Sequence, residues 1–167
     1  MIIADTDFLS ALAKIGQMPL LFSLLNTTEI QITPAVLSEL EHSFNLGRDY
    51  AIDLFAILSA GQLRVLYLTP VEAEFRDTLP LTLGSGERET IAVAKARKGL
   101  VLSNESRVAH ICREHQIDCL RLPEILRSLW IENVASKEQV EEMVHELAIK
   151  DRMCFKQSTL DAIFADS

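Results

Sequence analysis

The chain opens with three apolar residues, Ile2, Ile3 and Ala4, that run without polar alternation straight into Asp5. A short uniform apolar run suits a strand buried on both faces, which is how the central strand of a parallel sheet is packed. Asp5 then stands at the carboxyl end of that strand, the edge where open α/β sheets hold their ligands. A carboxylate that ends a buried strand needs a cation or a hydrogen-bond donor to be tolerated there, so Asp5 reads as functional. Thr6 or Asp7 reads as the cap of the helix that follows, because both side chains accept bonds from free helical N–H groups.

The same logic recurs along the chain. Residues 99–105 repeat the opening, an apolar run that ends in Ser103, Asn104 and Glu105. Residues 29–33, 64–68 and 117–120 read as further strands. Between them lie helical stretches at 8–15, stopped by Gly16, and at 19–25, 49–60, 106–114 and 123–130, and one that follows the glycine turn at 84–86 and runs to about Lys98. Residues 49–60 place Ile52, Leu54, Phe55 and Leu58 as the apolar side. Thr33-Pro34 and Thr69-Pro70 read as a cap followed by proline in the first helical position. Ser136 opens a capping box with Gln139. Strands alternating with helices predict the α/β class: three layers, α/β/α, around a central parallel sheet of about four or five strands. Residues 1–130 form the α/β domain in this reading. Residues 131–167 form a helical C-terminal extension packed on it.

A length of 167 residues fits one domain with a sizeable core. The net charge of -8 counts mildly against nucleic acid, whose phosphates are gripped mainly by Lys and Arg. An acidic chain is compatible with a nuclease only if metal ions bridge its carboxylates to the phosphate. The cysteines at 112, 119 and 154 form no CxxC pair and suit a reduced, cytoplasmic protein. No signal peptide and no membrane-spanning run is expected.

Chemistry therefore falls to the acids. Asp5 and Glu105 follow two strands directly. Glu39 and Glu87 or Glu89 stand near the starts of helices that border the same edge. Gly84-Ser85-Gly86 permits a tight turn but lacks the third glycine of a dinucleotide fingerprint and the Lys-Ser or Lys-Thr of a phosphate-cradling loop. The four histidines are scattered without a second ligand at metal-binding spacing, and no serine stands in a GxSxG context. Several carboxylates without His or Cys partners prefer hard cations, Mg²⁺ or Mn²⁺. An ion held that way suits phosphoryl chemistry.

At these residues the chain resembles the PIN-domain family, Mg²⁺- or Mn²⁺-dependent ribonucleases that include the toxin subunits of prokaryotic type II toxin–antitoxin pairs. The resemblance rests on residues 2–9, on Thr33-Pro34-Ala35-Val36-Leu37-Ser38-Glu39-Leu40, on Gly84-Ser85-Gly86-Glu87-Arg88-Glu89-Thr90-Ile91-Ala92, and on Leu102-Ser103-Asn104-Glu105. It covers residues 1 to about 130. It implies that Asp5, Glu39 and Glu87 bind metal and are catalytic, with Glu89 beside Glu87 as the other choice on that helix. The family usually has one or two aspartates where Asn104 and Glu105 stand here. Glu105 would reach the metal directly or through water, and Asn104 would bind a ligand or phosphate oxygen. Ser103 would orient a carboxylate or water. Arg88 and Arg107, with Lys95 and Arg113, are candidates for holding the RNA backbone.

The implied function is a toxin-type endoribonuclease, with RNA as substrate, an antitoxin as partner, and homodimerisation through the apolar helices at 8–25 and 49–60. The alternative is a catalytically weakened module that binds nucleic acid or protein, a reading favoured by Asn104. A receiver- or phosphatase-like domain lacks its phosphoacceptor Asp and late-strand Lys at convincing positions. An unspecialised interaction domain would require four acidic stretches to reach sheet-edge positions by chance.

Overall fold

Alternation of side chains across a strand explains why the short strands here need cover on both sides. The computed structural model describes residues 1–165. In β1 (Ile2–Ala4), Ile3 packs with Val101, Ile91 and Val108, whereas Ala4 packs with Ile30, Ile32 and Leu102 on the other face. Two apolar layers thus sandwich the sheet, and all four of the longer strands are only three residues long.

The elements follow in the expected alternation. α1 (Thr6–Lys14) and α2 (Met18–Leu24) lead to β2 (Ile30–Ile32), then α3 (Pro34–Asn45), α4 (Asp49–Ser59) and β3 (Leu63–Val65). α5 (Pro70–Thr78) and α6 (Ser85–Arg97) precede β4 (Leu100–Leu102), α7 (Ser106–Glu114) and β5 (Cys119–Leu120). α8 (Leu122–Ile131), α9 (Lys137–Lys150) and α10 (Gln157–Phe164) complete the described residues. The five strands are all parallel in the order β3-β2-β1-β4-β5. β1 is therefore central, as its lack of polar alternation requires. The architecture is the three-layer α/β/α sandwich expected.

Local chemistry sets the helix starts. Thr33 Oγ1 accepts the Val36 N–H at 3.4 Å, with Pro34 in the first turn. Thr69 and Glu72 form a reciprocal capping box, as do Ser136 and Gln139. The cap of α1 differs from expectation: Asp5 itself accepts the Phe8 N–H, at 2.9 Å, and neither Thr6 nor Asp7 does. The strand ends one residue before the helix begins, so the strand's last polar residue is also the helix cap. Gly16 stops α1 in the left-handed conformation, at φ 68°.

α8 and α9 bury Leu126, Leu129, Val140, Met143 and Leu147 in the same core as Leu12 and Leu21 of α1 and α2. The last two positions of the expected 131–167 extension lie outside the described residues. Among the described residues no helix is long and apolar enough to cross a membrane. All three cysteines are free thiols. Ile52, read as part of the buried side of α4, is 51% exposed; Leu54 of the same helix is fully buried.

Candidate active site

The carboxyl ends of β1 and β4 open into a cleft of about 320 Å³. Asp5, Asp7, Glu39, Glu87 and Glu105 line it, together with Thr6, Thr82, Gly84 and Arg107. Each acid arrives by a different route. β1 delivers Asp5, and the first turn of α1 delivers Asp7. Glu39 comes from the second turn of α3, Glu87 from the first turn of α6, and Glu105 from the cap position of α7.

Asp5 is the innermost, at 3% exposure. Its Oδ1 holds the Phe8 N–H, and its Oδ2 is buried without a hydrogen-bond partner. Burial pushes its pKa up to about 7 from 3.8. The Ser103 hydroxyl and the Phe8 N–H pull the other way, and the charges of Asp7 and Glu87 add to the rise. Ser103 is close enough to favour the charged form, although Oδ2 makes no hydrogen bond of good geometry. Burial also raises the Glu87 carboxyl, helped by the charge of Glu105 and opposed by the Gly84 N–H and by Arg107. Burial is the first cause for both acids, and among the described residues the five carboxylates face a single lining cation, Arg107.

The remaining partners orient the set. Thr6 Oγ1 donates to Glu39 Oε2. The Gly84 N–H donates to Glu87 Oε2 at 2.7 Å. The Glu105 N–H donates to Ser103 Oγ at 3.2 Å, which ties the β4–α7 turn to the floor of the cleft. Arg107 donates to the Thr82 carbonyl at 3.1 Å and stands exposed at the rim.

The structure separates other candidates from this cleft. Glu89 Oε2 accepts the Ala35 N–H at 2.9 Å, and Oε1 lies 3.6 Å from Arg76. It secures the start of α3 and does not line the cleft. Asn104 Oδ1 accepts the Leu122 N–H at 3.1 Å and so pins the start of α8. Arg88 does not line the cleft either, and its Nε is buried. Lys95 donates to the His115 carbonyl at 2.7 Å, away from the acids. Asp7, read from the sequence as a cap, is an additional acid of the cleft; its signal was its place two residues after Asp5, in the first helical turn.

Gly86 shows how closely the walls approach. A Cβ there would stand 3.1 Å from both Glu39 Oε1 and Val36 Cγ2. Gly86→Ala gains less than the roughly 1 kcal/mol of a helix interior, because position 86 lies in the first turn of α6, and it crowds Val36, a fully buried β-branched side chain with little freedom to move. Its melting temperature is expected to fall by a few degrees. The Glu39 carboxylate must shift, so any activity of the cleft should fall about tenfold. A melting curve beside a rate measurement checks both halves.

A family model described as DUF3368, PIN domain, matches residues 1–166. Among solved structures, the chain is similar to the PilT N-terminus domain protein SSO1118 from the hyperthermophilic archaeon Sulfolobus solfataricus P2. The identity is 20% and the TM-score 0.51, over 77% of this chain and 92% of that one. It is also similar to VapBC2 from Rickettsia felis, seen bound to a DNA fragment from its promoter. There the identity is 14% and the TM-score 0.53, over 72% of this chain and 98% of that one. At these identities the two structures bear on the fold, which they share with this chain. No curated protein gives a match.

Proposed function

We propose that this chain, which belongs to the PIN-domain family, is a metal-dependent endoribonuclease that hydrolyses RNA phosphodiester bonds in the acidic cleft. The observation that carries this reading is Asp5 Oδ2, buried and without a partner in a cleft of five carboxylates. A buried charge of that kind calls for a cation. Donors that are all carboxylate oxygens suit Mg²⁺ or Mn²⁺. Asp5, Glu39, Glu87 and Glu105 would hold it, with Asp7 added to the set. Among the described residues no three of these side chains already stand as a metal-binding group. Binding would draw them together against a repulsion that the cation itself relieves.

When bound, the ion supplies positive charge to the phosphate and an activated water. The chain supplies the rest. Thr6 and the Gly84 N–H fix one oxygen each of Glu39 and Glu87. Ser103 holds the turn that presents Glu105. Arg107, the lining cation, would meet a phosphate at the rim, where guanidinium groups bind such oxygens well. The likeness to VapBC2 supports a toxin-type role with an antitoxin partner.

A weakened binding module remains the second reading, because Asn104 replaces an expected aspartate. The Leu122 bond of Asn104 favours the enzyme instead: position 104 holds α8, and Glu105 faces the cleft. Cleavage of a mixed RNA pool by the purified protein tests the proposal, with Mn²⁺, Mg²⁺ or EDTA. Metal-dependent cutting that Asp5→Asn abolishes supports it. No cutting with any metal moves the reading to the binding module.

A further inference from the structure

Cys112 and Cys119 line no part of the acidic cleft. Cys112 lies in the last turn of α7 and is fully buried. Cys119 opens β5, the edge strand, and is half-buried. The Ile117 N–H donates to the Cys112 carbonyl at 2.8 Å, so the chain turns back from α7 directly into β5. Side chains alternate along extended backbone, which sends Ile117 and Cys119 to one face and Leu120 to the other. Ile117 and Cys119 pack in the apolar layer that holds Cys112, and Leu120 packs in the opposite one. The two thiols therefore meet between α7 and the edge of the sheet, within hydrogen-bonding reach of each other.

They differ in what they face. Cys119 lines an open pocket of about 530 Å³, with His110, Arg113 and Arg121 among its neighbours there. Cys112 does not line it and has apolar side chains around it. The Cys112 S–H donates to Cys119, which holds the Cys119 thiol below its ordinary value against burial and the acids nearby. The same bond, with burial, pushes the Cys112 thiol up. Redox-active cysteines are partly exposed, have cations close by and stand next to a second thiol that can close on them. Cys119 meets all three conditions. Cys112 meets the description of the second thiol.

We propose that Cys119 is a site of oxidation by hydroperoxides, and that Cys112 closes on it to form a reversible disulfide between α7 and β5. The proposal stands apart from the nuclease reading of the cleft. In the first step the Cys119 thiolate attacks one oxygen of the peroxide. A sulfur–oxygen bond forms, the oxygen–oxygen bond breaks, and the other half leaves as water or an alcohol. Cys119 is oxidised to a sulfenic acid and the peroxide is reduced. In the second step the Cys112 sulfur attacks the Cys119 sulfur. The sulfur–sulfur bond forms, the sulfur–oxygen bond breaks, and the hydroxide leaves with the Cys112 proton as water. The pocket admits the peroxide to Cys119, and burial keeps Cys112 from reacting first.

The test uses the full chain carrying Cys154→Ser, which removes the exposed third thiol. The protein is treated with dilute hydrogen peroxide, unfolded in N-ethylmaleimide and weighed intact. Both remaining thiols should be alkylated before treatment and neither after it, with about 2 Da lost and dithiothreitol restoring the starting state. Cys112→Ala in the same background should stop at a sulfenic acid on Cys119 that dimedone traps. Cys119→Ser should leave Cys112 reduced at the same dose. A melting curve confirms that each variant folds. Peptide mapping of the oxidised wild type should give the Cys112–Cys119 linkage, and it decides the matter even if a variant does not fold. Two thiols still alkylated after peroxide, dimedone on Cys112 in place of Cys119, or a wild-type linkage through Cys154 overturns the proposal.

Discussion

Asp5→Asn should give a protein that melts higher than the wild type and cuts no RNA. Both effects come from one carboxylate. In the metal-free protein the folded-state pKa of Asp5 is about 7, against 3.8 for an ordinary aspartate, chiefly because it is buried. Between those values the folded state binds more protons than the unfolded state, so stability falls as pH rises through that window. A shift of this size corresponds to about 4 kcal/mol lost by pH 8. Asparagine removes the charge and still accepts the Phe8 N–H, since Asn caps helices as well as Asp does. The expected gain at pH 8 is roughly 8–16 °C in melting temperature. It should shrink as pH falls and vanish near pH 4. Cleavage should drop at least a hundredfold, because several kcal/mol of charge stabilisation go with the ligand. Melting curves at pH 4, 6 and 8 beside a cleavage assay read both. An active-site group kept at a cost to the fold is the pattern expected of function.

Arg97→Met should produce the largest loss of stability. Glu72 is 3% exposed, and Arg97 reaches it with Nε at 2.6 Å and a second nitrogen at 2.9 Å. Arg97 also donates to the Tyr67 carbonyl. Glu72 in turn holds the Thr69 N–H at the start of α5. The pair therefore clamps α5 to the end of α6, the helix that presents Glu87. The Arg97 guanidinium is the main reason that the Glu72 carboxyl is held at about 2, below its ordinary 4.5. Its contribution is complete above about pH 4.5 and is lost as pH falls towards 2. Removing the arginine leaves a buried carboxylate alone, which costs about 3 kcal/mol, the low end of the range because Arg97 is partly exposed. For a chain of this length that is a drop of roughly 6–12 °C at neutral pH. The deficit should narrow in acid, where Glu72 becomes neutral. Equal losses at pH 7 and pH 3 would show that the clamp is not electrostatic.

Much of this fold is legible because its signals are local. Proline after threonine marks the starts of α3 and α5, and uniform apolar runs mark β1 and β4. The acids at strand ends could be read the same way, since a strand's carboxyl end is fixed by its own residues. What was not legible depends on contacts far apart in the chain. Glu87 and Glu89 lie two residues apart on one helix, about 200° around its axis, so one alone can face the cleft. The bond to Ala35, 54 residues away, decides that Glu89 faces elsewhere. Asn104 reads equally well as a ligand or as a tie until α8 is in place to donate its Leu122 N–H to it. Cys112 and Cys119 carry no paired-thiol motif. They become neighbours only when β5 folds back against α7.

Calorimetric titration of the metal-free protein with Mn²⁺ shows whether Asp5 meets a divalent cation. One binding event is expected in the wild type, absent or greatly weakened in Asp5→Asn. At pH 6, where the buried Asp5 carboxyl is largely protonated, binding should release close to one proton, seen as a dependence of the heat on buffer ionisation enthalpy. At pH 8 that release should disappear. Equal Mn²⁺ affinity and equal proton release in wild type and Asp5→Asn would exclude Asp5 as a metal ligand.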